Sequence, residues 1–276
     1  MSRIAILQAQ SGIDPRRNAV DLAKAVHEAK AGGAAMLFTP EMSGLVDRNR
    51  DRAAGKIRDE ADDEVLAAVR DAAAATGLWV HLGSLAVQGI DGRFANRGFV
   101  IDGRGEIRAR YDKIHLFDVD LPTGESWRES AAYAPGTSLS VLADTPVGRL
   151  GLSICYDLRF PALFAALAEA GAETIVVPAA FTVPTGQAHW QVLLRARAIE
   201  AGLFVIAAAQ AGLHEDGRET YGHSLVVDPW GEVLKEMDGT PGLAFTEIEL
   251  ARVTQVRGRV PALTHRRPMP PVTLAD

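Results

Sequence analysis

Cysteine is almost absent: the 276 residues contain one, Cys155. A single thiol closes no intramolecular disulfide and cannot build a thiolate-rich zinc site, which fits a reducing compartment. Long hydrophobic runs are missing as well. No stretch is long enough to cross a bilayer, and Met1 to Gln10 read directly into a strand without the basic segment and apolar core of a secretory leader. The reading is therefore cytoplasmic, with no membrane partner. Nor is there an excess of positive charge: the formal net charge is −6 and the 29 Lys and Arg residues are dispersed, so no nucleic-acid partner is expected. No Gly-x-x-x-x-Gly-Lys-Ser/Thr loop and no His/Asp/Glu cluster with metal-ligand spacing occurs, and neither cofactor nor metal is expected. What remains, 47% hydrophobic and 23% charged residues, is the composition of a globular protein with a sizeable core.

The apolar pattern alternates between strand and helix. Arg3 to Gln10 reads as a strand, and Asp14-Pro15 supplies an N-cap and an N1 proline for a helix ending near Gly32-Gly33, with Ala19, Leu22, Ala23, Val26 and Ala29 inward. A strand over 35–39, a helix over 62–76 with Val65, Val69 and Ala72 inward, and a strand over 79–85 come next. Gly103 and Gly105 then turn a hairpin between Gly98–Asp102 and Glu106–Arg110.

The second half repeats the first. Arg3-Ile-Ala-Ile-Leu7 echoes Arg149-Leu-Gly-Leu-Ser153, the run ending at Thr39-Pro40 echoes the run ending at Val177-Pro178, and Gly77-Leu-Trp-Val80 echoes Gly202-Leu-Phe-Val205. Phe99-Val-Ile-Asp-Gly-Arg-Gly-Glu-Ile107 aligns without a gap to Leu225-Val-Val-Asp-Pro-Trp-Gly-Glu-Val233. Two such halves bury most apolar surface by packing sheet on sheet with helices outside. The expected fold is α/β, a four-layer α-β-β-α sandwich forming a single domain over 1–276. Prolines at 261, 268, 270 and 271 make the tail, from about 257 to 276, an arm rather than another helix.

Chemistry centres on Cys155, which ends an apolar run in Arg149-Leu-Gly-Leu-Ser-Ile-Cys-Tyr-Asp-Leu-Arg-Phe-Pro161. A strand end exposes one side chain in a cleft and leaves neighbouring N–H groups free for an oxyanion. Glu41 follows another strand in Phe38-Thr-Pro-Glu41, and Lys113 lies in Arg110-Tyr-Asp-Lys-Ile-His-Leu-Phe117. A thiol is mostly protonated at neutral pH, so it needs a base, and Glu41 is the candidate. Lys113 and the Tyr156 N–H would hold the oxygen of a tetrahedral intermediate, giving amide hydrolysis through a thioester. Two alternatives stay open on the residues alone: Glu41 and Lys113 as a surface ion pair beside a packed thiol, and a Cys–His pair with His115, His189 or His223, none favoured by spacing. Arg195 and Arg197 read as structural, the latter within helical reach of Glu200.

These contexts resemble the nitrilase superfamily of carbon–nitrogen hydrolases over essentially the whole chain. The resemblance implies a Glu–Lys–Cys triad of Glu41, Lys113 and Cys155, and a second glutamate at Glu129 in Ser126-Trp-Arg-Glu-Ser130, with Glu125 as runner-up. Thr39 stands where the common pattern has an aliphatic residue. Leu116-Phe-Asp-Val-Asp-Leu-Pro122, Leu193-Leu-Arg-Ala-Arg-Ala-Ile-Glu200, Ala207-Ala-Ala-Gln210 and Tyr221-Gly-His-Ser-Leu-Val-Val-Asp-Pro-Trp-Gly231 look closest to the Nit branch. That branch implies a small-molecule amide of 2-oxoglutarate as substrate, deaminated glutathione first and 2-oxoglutaramate second; hydrolysis of an N-carbamoyl amino acid by the same triad is a separate enzymatic alternative. A non-catalytic binding or scaffold role on the same fold is the reading of another class. Such substrates need a cation for the α-keto carboxylate, and Arg159 is the candidate. Phe181 and Thr182, after Pro178-Ala-Ala, are expected to line the pocket. The resemblance also implies a homodimer.

Overall fold

The computed structural model describes residues 1–89, 91–120, 124 and 126–274. The first half runs β1 (Ser2–Gln8), α1 (Pro15–Ala31), β2 (Met36–Phe38), α2 (Arg50–Ala54), α3 (Glu64–Thr76), β3 (Trp79–Gln88), β4 (Phe94–Ile101) and β5 (Ile107–Asp112). A small hairpin, β6 (Asp118–Asp120) and β7 (Ser126–Arg128), comes after it. The second half runs β8 (Val141–Thr145), β9 (Gly148–Leu152), α4 (Pro161–Glu169), β10 (Thr174–Val176), α5 (Val183–Ala201) and β11 (Phe204–Ala207). A second small hairpin, β12 (Ala211–Leu213) and β13 (Glu219–Tyr221), precedes β14 (Leu225–Val227), β15 (Val233–Glu236), β16 (Gly242–Ile248) and α6 (Ala251–Arg259).

The two main sheets are six-stranded, with orders β16-β1-β2-β3-β4-β5 and β8-β9-β10-β11-β14-β15. In each, three consecutive parallel strands are flanked by antiparallel ones. The internal repeat thus governs topology. Ile4 pairs with Met36 as Leu150 pairs with Thr174, and the hairpins β4–β5 and β14–β15 are both bulged beside the matching residues Ile101 and Val227. Asp102 and Asp228, each buried, close those hairpins in the same way. One carboxylate oxygen of Asp102 accepts from the N–H of Arg104 and Glu106, and one of Asp228 from the N–H of Trp230 and Glu232.

Strand alternation sorts side chains into layers. In β1 and β2, Ile4, Ile6, Met36 and Phe38 join the core shared with the second sheet, while Ala5 and Leu37 join the core under α1 and α3. Helix α1 begins as its sequence dictates, with the Asp14 carboxylate accepting from the Arg16 N–H and Pro15 in the first turn. Its buried stripe contains Ala19, Leu22, Val26 and Ala29 as expected, with Asn18 and Ala25 added and Ala23 only partly covered. The second sheet is backed by α4 and α5, completing the four-layer sandwich.

Three features differ from the sequence reading. Helix α2 buries no residue and so leaves no apolar stripe to read. The helix read over 62–76 starts at Glu64, because Asp63 caps it through the Leu66 N–H. The tail stays helical to Arg259, and the irregular arm begins only as Pro261 approaches; Arg266 then ties it to Glu169 of α4 at 2.7 Å. Among the described residues, no helix is long and apolar enough to cross a membrane.

Candidate active site

The site forms where strand ends of both sheets meet. A methyl group on Gly83 would collide with the carbonyls of Thr39 and Pro40 and with the Pro178 side chain, so only glycine lets the two halves approach this closely beside Glu41. Glu41 lies just beyond the end of β2, and its neighbour Met42 has φ +55°. Cys155 opens a helical turn after β9 with φ +49°, a strained conformation for a side chain with a Cβ, and its N–H is held by the Pro178 carbonyl at 2.9 Å. Lys113 follows β5, held by the Asn96 carbonyl at 2.9 Å, and Glu129 follows β7.

These four side chains converge. The Lys113 Nζ donates to Glu41 Oε1 at 2.9 Å and to Glu129 Oε2 at 2.8 Å, and the Cys155 thiol lies beside Glu41. The far oxygen of Glu41 accepts from the Ala180 N–H at 2.9 Å, and Glu129 accepts from the Phe117 N–H at 2.7 Å. Lys113 and Glu41 are buried, which excludes a surface ion pair. Glu125 lies outside the described residues.

Burial acts against every charge here, and the partners decide the outcome. Burial raises the Glu41 carboxyl, but the Lys113 ammonium and hydrogen bonds from Cys155, Lys113 and Asn96 outweigh it, so Glu41 titrates below its usual 4.5. Burial lowers Lys113, yet Glu129 and Glu41 hold it well above its usual value. Burial and the Glu41 charge push the Cys155 thiol well up. The resting triad is therefore carboxylate, ammonium and neutral thiol. Transfer of the thiol proton to Glu41 is uphill in this resting arrangement.

Residues without a motif of their own hold this cluster in place. The Asn96 amide donates to Glu41 at 2.9 Å and to Glu129 at 3.2 Å, tying the two carboxylates together. Asp157, fully buried, fixes the nucleophile turn by accepting from the Ile154 N–H, the Tyr111 hydroxyl and the His115 N–H, with the His115 ring at 2.7 Å. A polar residue inside a strand or turn has no spacing signature, so only Asp157's place two residues after the thiol hints at a role.

The cluster lines a cavity of about 490 Å³ together with Tyr156, Phe181 and Thr182. Arg159, expected to meet the substrate carboxylate, is not among the lining residues: it stands behind this wall, its guanidinium 5.8 Å from the Tyr156 ring centre and 5.7 Å from that of Phe181, with His189 at 3.3 Å. Asp157, already satisfied, is not its partner. Neither His115, His189 nor His223 is among the cavity-lining residues, so the structure brings no histidine to the thiol. Arg197 pairs with Glu200 at 2.9 Å and holds the Leu158 carbonyl, a structural role as read. Among the described residues, no group of three or more His, Cys, Asp or Glu side chains could hold a metal.

Known proteins are similar to this chain in sequence and fold. The chain is 40% identical over 269 residues to a deaminated glutathione amidase of Bos taurus, covering 96% of this chain and 82% of that protein. The NitFhit protein of C. elegans superposes with a TM-score of 0.88 at 38% identity, over 96% of this chain and 65% of that longer one. An amidase from Nesterenkonia sp. AN1, whose structure shows the acetamide moiety of fluoroacetamide added covalently at its active site cysteine, superposes with a TM-score of 0.80 at 28% identity, over 96% of this chain and 94% of that one. With the carbon-nitrogen hydrolase family model matching residues 3–258, nearly the full length, the chain belongs to the carbon-nitrogen hydrolase family.

Proposed function

We propose that this enzyme hydrolyses deaminated glutathione to 2-oxoglutarate and cysteinylglycine through a thioester on Cys155. The observation that carries the substrate class is the 40% identity to the Bos taurus protein across nearly the whole chain. The cavity agrees with it: about 490 Å³ suits a tripeptide-sized amide better than 2-oxoglutaramate, whose leaving group is only ammonia.

In this reading, Cys155 Sγ attacks the amide carbon while Glu41 takes the thiol proton. Lys113 Nζ and the Tyr156 N–H stabilise the resulting oxyanion. Collapse of the intermediate breaks the C–N bond, and Glu41 returns its proton to the leaving nitrogen, so cysteinylglycine departs as a neutral amine. Water then attacks the thioester with Glu41 as base and Glu129 orienting it. The second tetrahedral intermediate expels sulfur, which recovers the proton, and 2-oxoglutarate leaves. Phe181 and Thr182 shape the acyl side, and Arg159, packed behind Tyr156 and Phe181, adds positive charge complementary to the α-keto carboxylate from beyond that wall.

The enzyme acts in the cytoplasm as a homodimer, one domain over 1–276 with the tail packed as an arm. Exposed Val192, Ile199, Trp230 and Val260 on and beside α5 and α6 supply an apolar face suited to a two-fold contact. Sedimentation at micromolar concentration checks the dimer. Steady-state assays with deaminated glutathione, 2-oxoglutaramate and an N-carbamoyl amino acid test the function. The highest kcat/KM is expected for the first, and a higher value for either of the others would overturn the assignment.

A further inference from the structure

We infer that Arg218 binds the carboxylate at the far end of the leaving fragment, making the β12–β13 turn the specificity element for what departs rather than for the acyl group. This rests on the proposed substrate. Arg218 lines the cavity with its guanidinium 4.7 Å from the ring centre of Trp127, itself a cavity residue on β7. Its nearest carboxylate, Asp216, lies at 3.6 Å, beyond hydrogen-bond reach, and the Asp216 oxygens already accept from the main-chain N–H of Arg48 and of Arg218. Among the described residues, neither Arg218 Nε nor Trp127 Nε1 has a hydrogen-bond partner, though both atoms are buried.

A guanidinium whose side chain is only 18% exposed, stacked on an indole and lacking a bonded counter-ion, is an under-compensated charge. Burial already weakens its hold on its proton, and the partial counter-charges nearby include Glu41. A carboxylate entering the cavity relieves that deficit, and the planar fork of arginine suits two parallel hydrogen bonds to it.

The side of the site follows from the chemistry. Glu41 must hand its proton to the leaving nitrogen, and Arg218 is a cavity arginine that feels the Glu41 charge. Arg159 packs instead against the Tyr156 ring and is not among the cavity-lining residues. A substrate whose leaving fragment ends in a carboxylate meets Arg218 in the cavity. Deaminated glutathione is such a molecule; 2-oxoglutaramate is not.

The test compares wild type with Arg218→Gln and Arg218→Lys on three substrates: deaminated glutathione, the same molecule ending in glycinamide, and 2-oxoglutaramate. Arg218→Gln is expected to lose roughly ten- to a hundredfold in kcat/KM on deaminated glutathione, mainly through KM, and Arg218→Lys less. Both variants should lose far less on the two substrates without the terminal carboxylate, whose turnover also reports that the protein is folded. Equal losses on all three would make Arg218 a support for the Trp127 hairpin and overturn the inference alone. Wild type that hydrolyses 2-oxoglutaramate but not deaminated glutathione would overturn the proposed substrate and this inference with it.

Discussion

Strands β2 and β10 hold matching places in the two sheets and both run into a proline, Pro40 and Pro178, yet the chain leaves the two prolines differently. The first half continues with Glu41, the second with Ala179-Ala180, and the Ala180 N–H binds the Glu41 carboxylate. A similar contrast holds one strand away, where β9 runs on to Cys155 but the matching end of β1 reaches Ala9, which bridges to Gln210 of the other half. The duplicated scaffold has thus become unequal. One half supplies Glu41 and Lys113, and the other supplies Cys155 and the Ala180 N–H that binds the Glu41 carboxylate. Symmetry sets where strand ends meet, while single residues at those ends set which end reacts.

The contrast is broken most severely at Cys155, the proposed nucleophile. Cys155→Ala, which makes the end of β9 resemble that of β1 with its Ala9, should lower kcat by roughly a thousandfold or more without loss of fold. Mass spectrometry of wild type with a slow amide should find an acyl adduct on Cys155. A folded Cys155→Ala protein that keeps substantial turnover would remove the thioester from the mechanism.

The halves also differ where no chemistry occurs. His81 on β3 matches Ile206 on β11, and both are buried. Burial brings the His81 imidazole down from 6.5 to about 3, its ring lying against Phe38 at 6.0 Å between ring centres. The unfolded chain takes up a proton below pH 6.5 that the folded chain refuses until about pH 3. Stability is therefore fully present above 6.5 and declines as pH falls towards 3, by on the order of 5 kcal/mol in all. His81→Ile, copying the second half, should flatten this decline in denaturant melts taken between pH 7 and 4. An unchanged pH slope would mean that other groups govern acid sensitivity.

The repeat itself is legible in the sequence because hairpin chemistry is local: Asp, Gly and Glu at fixed offsets specify a turn wherever they occur. Glu41, Lys113 and Cys155 are legible because each sits in an extended motif. The residues that are not legible work through tertiary contact. Asn96 looks like any polar residue in a strand until Glu41 and Glu129 arrive from elsewhere in the chain. Arg218 looks like a charged turn residue until Trp127 is brought beneath it by another hairpin. The small hairpins give no signal for a related reason, since strands such as Asp118–Asp120 and Glu219–Tyr221 are too short to show alternation.

A smaller effect concerns Arg159, which packs against the cavity wall rather than lining the cavity. Arg159→Lys should reduce kcat/KM on α-keto substrates by roughly ten- to a hundredfold, because lysine keeps the charge but loses the planar contact. An amide lacking the α-keto carboxylate should be affected much less. Equal losses would mean that Arg159 only supports Tyr156 and Phe181, against whose rings it packs.

The smallest effect tests whether the halves are energetically as well as topologically alike. Asp102→Ala and Asp228→Ala each remove a buried carboxylate that accepts two turn N–H groups, and each also loses an arginine, Arg108 or Arg252. The N–H groups lie near the surface and regain water, so each substitution should cost about 1–2 kcal/mol. The two carboxylates share no partner and belong to different sheets, so the double variant should lose the sum to within about 0.5 kcal/mol. Denaturant unfolding of the single and double variants measures this. A double loss well below the sum would show that opening one hairpin already loosens the other, and the sheets would then be coupled through the shared core rather than standing as two independent copies of one design.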